Sequence, residues 1–64
     1  MGLSAKQFSR IIRIRSIVTT LQQGWDRSLA ELAQDFAYFD QAHFIKDFRQ
    51  VTGLTPSRMR QQLH

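Results

Sequence analysis

The chain has 64 residues, 42% of them hydrophobic, no cysteine, and nine Lys+Arg against five Asp+Glu, for a formal charge of +4. That length accommodates one small domain, and a chain of this size buries only about 60% of its unfolded surface. The composition excludes disulfides, thiolate metal sites and cysteine nucleophiles, His43 and His64 lack the spacing of a zinc site, and with no signal-peptide pattern and no apolar run near about 18 residues the expected location is cytoplasmic, off the membrane.

The charge is unevenly placed. Lys6, Arg10, Arg13 and Arg15 lie within residues 1–25 with no acid among them, while the bases and acids of residues 26–64 cancel. A basic stretch beside a neutral body suits a polyanion such as DNA, RNA or an acidic membrane.

Four helical segments account for nearly the whole chain. The first runs from about Ser4 to Leu21, opened by Ser4-Ala5-Lys6-Gln7, which has the form of a capping box, and closed near Gly24. Phe8, Ile11, Ile12, Ile14, Val18 and Leu21 fill one broad arc at helical spacing, with Lys6, Arg10 and Arg13 opposite. A strand competes here, because Ile12-Arg13-Ile14-Arg15 alternates at period two and is rich in β-branched residues. The capping signal and the length favour the helix.

The second segment opens on another capping box, Ser28-Leu29-Ala30-Glu31, and Leu29, Leu32, Ala33 and Phe36 follow the i, i+3, i+4, i+7 rule. Asp40 reads as the N-cap of a third helix whose buried stripe is Phe44, Phe48 and Val51. Gly53 suits the left-handed position past its end. Thr55-Pro56 opens the fourth, with threonine as cap and proline at the first helical position; Met59 and Leu63 are its expected buried pair. Phe36, Phe39, Phe44 and Phe48 read as core, and Trp25 as a cover over the junction of the first two helices. Only Ala37, Tyr38 and Phe39 separate the second helix from Asp40. Two amphipathic helices joined this tightly cross at a large angle, which is helix-turn-helix geometry. The expected fold is all-α, a small bundle of about four helices containing one helix-turn-helix.

Leu29-Ala30-Glu31-Leu32-Ala33, Tyr38-Phe39-Asp40-Gln41-Ala42-His43-Phe44, Phe48-Arg49, Thr52-Gly53-Leu54-Thr55-Pro56 and Arg60 together resemble the second helix-turn-helix of the AraC/XylS transcriptional regulators. Gly2-Leu3-Ser4 through Leu21 resembles the end of that family's first unit and the linker helix that follows. The resemblance divides residues 1–64, as one partial DNA-binding domain, into a linker helix (4–21), a helix-turn-helix (28–52) and a C-terminal helix (55–63). Ala37 stands where the family usually has glycine, and alanine tolerates a positive φ poorly, at a cost of order 1 kcal/mol, so the turn is expected to be either strained or differently shaped. Met59 replaces a tyrosine and loses its hydroxyl. The family pairs two units and this sequence contains one, so a fragment of a regulator and a natural truncated relative both fit.

The resemblance implies double-stranded DNA as partner. On the third helix Ala42, Lys46 and Arg49 lie opposite Phe44, flanked by Gln41 and Ile45. Gln41, Ala42, Ile45 and Lys46 are the candidates for base edges: Gln41 for adenine, Lys46 for guanine, Ala42 or Ile45 for a thymine methyl. Lys6, Arg10, Arg13, Arg27, Arg49, Arg58 and Arg60 are the candidates for phosphate. The alternative for both sets is an ordinary solvated surface. Asp40 and Asp47 cancel Lys46 and Arg49 on the third helix, which counts against strong binding. His43 reads as a packed or turn-stabilising residue, and the Tyr38 hydroxyl as serving either the turn or a phosphate.

No catalytic constellation is present: Ser4, Ser28 and the carboxylates read as caps and surface charges, so no enzyme, cofactor, metal or small-molecule ligand is expected. A rival reading is a protein-interaction module whose basic first helix pairs with a regulator or an RNA polymerase subunit. That rival expects Ile14, Ile17 and their apolar neighbours to be uncovered.

Overall fold

The computed structural model describes residues 4–63. The readings that fall on Gly2, Leu3 and His64 lie outside these residues. Among them the chain forms four helices and no strand: α1 (Ala5–Gln22), α2 (Leu29–Asp35), α3 (Gln41–Thr52) and α4 (Pro56–Gln62).

Each helix begins at a side chain that satisfies a free amide. At α1 the box is complete: the Gln7 amide donates to Ser4 Oγ (3.2 Å), and the Ser4 amide donates to Gln7 Oε1 (3.3 Å). At α2 only half the expected box forms. Ser28 Oγ accepts from the Glu31 amide (3.1 Å), but the Glu31 carboxylate turns to Arg27 (2.9 Å). A charge-assisted partner has displaced the reciprocal cap. Asp40 and Thr55 cap α3 and α4 by the same geometry, and Pro56 occupies the first position of α4. Gly24 (φ 96°) and Gly53 (φ 80°) follow the ends of α1 and α3 in the left-handed region that glycine enters freely.

The strand alternative for Ile12–Arg15 does not occur. Those residues lie inside α1, where Thr19 and Thr20 donate their hydroxyls to the Arg15 and Ser16 carbonyls (3.1 and 2.9 Å). The apolar face of α1 is also rotated from the expected arc. Ile14, Ile17 and Leu21 are buried, with Val18 packed beside them, whereas Phe8 and Ile12 are 56% and 47% exposed. At about 100° per residue Ile12 lies roughly 160° from Ile14, so one helix cannot bury both. The same rotation brings Arg10 and Arg13 to the flank facing α3 rather than to the opposite side.

The core joins Ile14, Ile17 and Leu21 to Leu32 and Ala33 of α2, Tyr38 of the turn, and Phe44 and Phe48 of α3. Phe44 and Phe48 meet edge to face with centroids 5.9 Å apart, an arrangement aromatic quadrupoles favour. Trp25 packs against this cluster and donates from Nε1 to the Ser28 carbonyl (3.1 Å), holding the α1–α2 junction. Helix α3 touches each of the other three.

Two residues read as core are not. Phe39 is 93% exposed, and Leu63, the cap residue that ends α4, is 41% exposed while Met59 packs inward. Ile14 and Ile17, which the interaction reading left uncovered, are both fully buried.

Candidate nucleic-acid interface

The turn between α2 and α3 is a Schellman motif. The Tyr38 amide donates to the Ala33 carbonyl (3.0 Å) and the Ala37 amide to the Gln34 carbonyl (3.0 Å), the paired bonds that close a helix end around a left-handed residue. Ala37 is that residue, with φ 61°, so of the two expectations for this turn the strained backbone is the one found. Burial of Tyr38 against Ala33 supplies the apolar contact that accompanies the motif. The corner therefore ends α2 sharply, drives Tyr38 inward and releases the chain into α3.

Helix α3 then divides by face. Inward go Phe44, Phe48 and, against expectation, Asp47, which is 8% exposed. Outward go Gln41, Ala42, Lys46, Arg49 and Gln50, all exposed, with Ile45 half-buried. Ala42, Ile45, Lys46, Arg49 and Gln50 line one open hollow along the helix. Gln41 is exposed at the first position of the helix and does not line it.

This division changes the charge account of the helix. Asp40 Oδ1 accepts from the His43 amide (2.7 Å), so that carboxylate is committed to the cap. Asp47 faces α1, where Arg10 Nε lies 3.8 Å from Oδ1, and His43 Nε2 lies 3.5 Å from Oδ2. Both acids are used within the protein, and among the described residues the Arg–carboxylate pairs are Arg10–Asp47 and Arg27–Glu31, neither of them using Lys46 or Arg49. The helix is neutral in sum and cationic on its free face.

The phosphate candidates fall into separate groups. Arg49 and Arg58 line one hollow with Gly53, Leu54 and Thr55 beyond the carboxyl end of α3. Lys6, Arg10 and Arg13 line another, with Ser9, His43 and Asp47. Arg10 also donates to Gln50 Oε1 (3.1 Å), and the Arg13 guanidinium stands 5.1 Å from the Tyr38 ring centroid. Arg27 pairs with Glu31 and stacks over Trp25 at 5.4 Å, away from α3, and Arg60 is half-buried on α4.

The Tyr38 hydroxyl is buried without a hydrogen-bond partner among the described residues. Burial, and next the Asp47 charge, raise its pKa above the usual tyrosine value, with Arg13 opposing them. The His43 and Tyr38 rings meet in a T-shaped arrangement with centroids 5.5 Å apart. The sequence reading missed the inward turn of Asp47, which its spacing of three residues from Phe44 makes possible but only the Arg10 partner on α1 makes tolerable for a carboxylate. It missed Gln50 as well, whose position beside Lys46 and Arg49 was available from helical spacing.

No helix of the described residues is long and apolar enough to cross a membrane, and no group of three or more potential metal ligands occurs among them. No curated protein and no solved structure gives a significant match to the chain. The family described as "Helix-turn-helix domain" matches residues 1–62. Four helices, a Schellman corner and an outward cationic helix face accord with that match, and the chain belongs to the AraC-type helix-turn-helix family, the DNA-binding, non-enzymatic domain of transcription regulators.

Proposed function

We propose that α3 enters the major groove of duplex DNA, with Lys46, Gln41, Ala42 and Ile45 toward base edges. Lysine suits guanine O6/N7, glutamine suits adenine, and the two apolar side chains suit a thymine methyl. Arg49 and Arg58 hold phosphates at the carboxyl end of α3, and Lys6 and Arg13 hold them at the α1 flank. Arg10, Arg27 and Arg60 reach phosphate after giving up part of their present contacts, and contribute less. In this reading α1 is the linker helix and residues 28–52 the helix-turn-helix of a larger domain.

One observation carries the proposal: Asp47 turns inward toward α1 and Asp40 is engaged at the cap, which leaves Lys46 and Arg49 unopposed on the face that is free. A helix meant only to be soluble has no need of that separation. A single unit of this kind binds weakly, and each phosphate it neutralises steepens the salt dependence.

The test is fluorescence anisotropy with labelled duplex DNA across a salt series, using wild type and Lys46→Ala. Log affinity is expected to fall linearly with log salt, and Lys46→Ala to relax sequence preference by about 1–3 kcal/mol at its base pair. Absence of binding at low salt by the folded chain rejects the reading.

A second reading has its own observation. Phe8 and Ile12 lie one turn apart and exposed on α1, beside Arg15, and such a basic, apolar helix face suits pairing with a regulator or polymerase subunit. Capture of such a partner by a chain that ignores DNA favours it.

A further inference from the structure

Phe39 has no structural task. It is 93% exposed, whereas an apolar residue just before an N-cap ordinarily packs on the fourth helical residue as a hydrophobic staple. That residue is Phe44, and its ring is already covered by Tyr38 (centroids 5.3 Å apart) and Phe48 (5.9 Å). The Schellman corner sends Tyr38 into the core, and Phe39, next in the chain, goes outward. Ala37, Asp40 and Gln41 around it in sequence are exposed and small or polar, so no second large apolar side chain adjoins it there to make the kind of patch that marks a protein–protein interface. The occupant it fits is local and small.

Its position names that occupant. Phe39 directly precedes Asp40, the cap of α3, and so stands beside Gln41 and Ala42, the turn that leads a recognition helix into the major groove. The apolar feature of that groove is the C5-methyl of thymine, which phenylalanine contacts well. We propose that Phe39 is a specificity-determining residue that covers a thymine methyl at the edge of the site read by α3. This rests on the DNA-binding reading above.

The probe is the labelled duplex that wild type enriches from a randomised duplex library, together with copies carrying uracil in place of thymine at single positions. Wild type is expected to lose about fourfold in affinity at the uracil position that faces Phe39, the effect of one buried methyl and separate from any position covered by Ala42 or Ile45. Phe39→Ala is expected to bind the thymine duplex about as weakly as wild type binds that uracil copy, and to lose the discrimination. Its salt slope stays unchanged, since no counterion is released by an apolar contact. Phe39→Leu retains most of the preference. Melting of both variants matches wild type, because an exposed side chain supports no core. Full affinity and full thymine discrimination in Phe39→Ala overturn the inference and leave the DNA-binding reading intact. A wild type that enriches no duplex overturns both.

Discussion

The two faces of α3 are built under different rules. The inner face buries Phe44, Phe48 and Asp47 against α1 and the turn, so each of its atoms is constrained by packing. The outer face, with Ala42, Lys46, Arg49 and Gln50, is exposed and makes few contacts that hold the fold. Energy that fixes the helix in place comes from one side, and freedom to meet a ligand remains on the other. Substitutions should therefore separate cleanly into those that unfold and those that only change binding.

The strongest attempt to break this contrast is Phe48→Ala. Truncating a fully buried phenylalanine costs about 3–5 kcal/mol, comparable to the whole stability of a domain this small. The expected outcome is loss of the cooperative thermal transition in far-ultraviolet circular dichroism. Lys46→Ala should stay within about 0.5 kcal/mol of wild type. If both variants melt alike, the division of faces is wrong.

Asp47→Ala probes the one charged residue on the inner side. It removes the carboxylate that faces Arg10 and His43 and leaves Arg10 and Arg13 close to each other without it. A loss of about 1–3 kcal/mol is expected in urea unfolding, the range for a disrupted buried polar contact. A neutral result would mean that α1 is held by its isoleucines alone.

How much of this was legible depended on the physical range of each signal. Local signals read well. Ser4, Ser28, Asp40 and Thr55 are all caps, Gly24 and Gly53 both have positive φ, and the faces of α3 follow from its spacing, since capping and periodicity act within a few residues. The rotation of α1 was not legible, because Phe8, Ile11, Ile12, Ile14, Ile17 and Val18 put apolar groups on nearly every side and only the neighbouring helices choose among them. Asp47 is a different case: spacing puts it three residues from Phe44 and four from Val51, on the inner side, and what periodicity does not show is the Arg10 partner that makes a carboxylate tolerable there. Leu63 was read as core from its spacing to Met59, but it falls on the cap residue that ends α4 and stays exposed. At the site, the candidates Ala42, Ile45, Lys46 and Arg49 line one hollow, while the seven phosphate candidates, read from charge alone, scatter over separate surfaces.

The corner sets where the outer face points, and Ala37→Gly tests its strain. Alanine at φ 61° meets steric resistance that glycine does not. Glycine loses part of the advantage through its freer unfolded state. A net gain of about 0.5–1 kcal/mol is expected, read as a higher melting temperature. Destabilisation would show that the alanine is not strained where it stands.

Tyr38→Phe has the smallest effect at neutral pH and the most informative pH dependence. The hydroxyl is buried without a partner, and removing such a group while keeping the ring should leave stability unchanged or raise it by up to about 1 kcal/mol. Because burial and the Asp47 charge raise the folded pKa above the unfolded value, the folded protein holds the phenolic proton where the unfolded chain, with an ordinary pKa near about 10, has begun to lose it. Stability contributed by Tyr38 is therefore complete below about pH 10 and falls as pH climbs toward the folded pKa. Wild type should lose stability over that alkaline interval faster than Tyr38→Phe, which has no proton to release there. The two proteins differ in that hydroxyl alone, so the difference between their unfolding curves isolates the phenol. Parallel curves would mean that the hydroxyl reaches water in solution, and with it that the corner pressing Tyr38 into the core opens more readily than the packing of Phe44 allows.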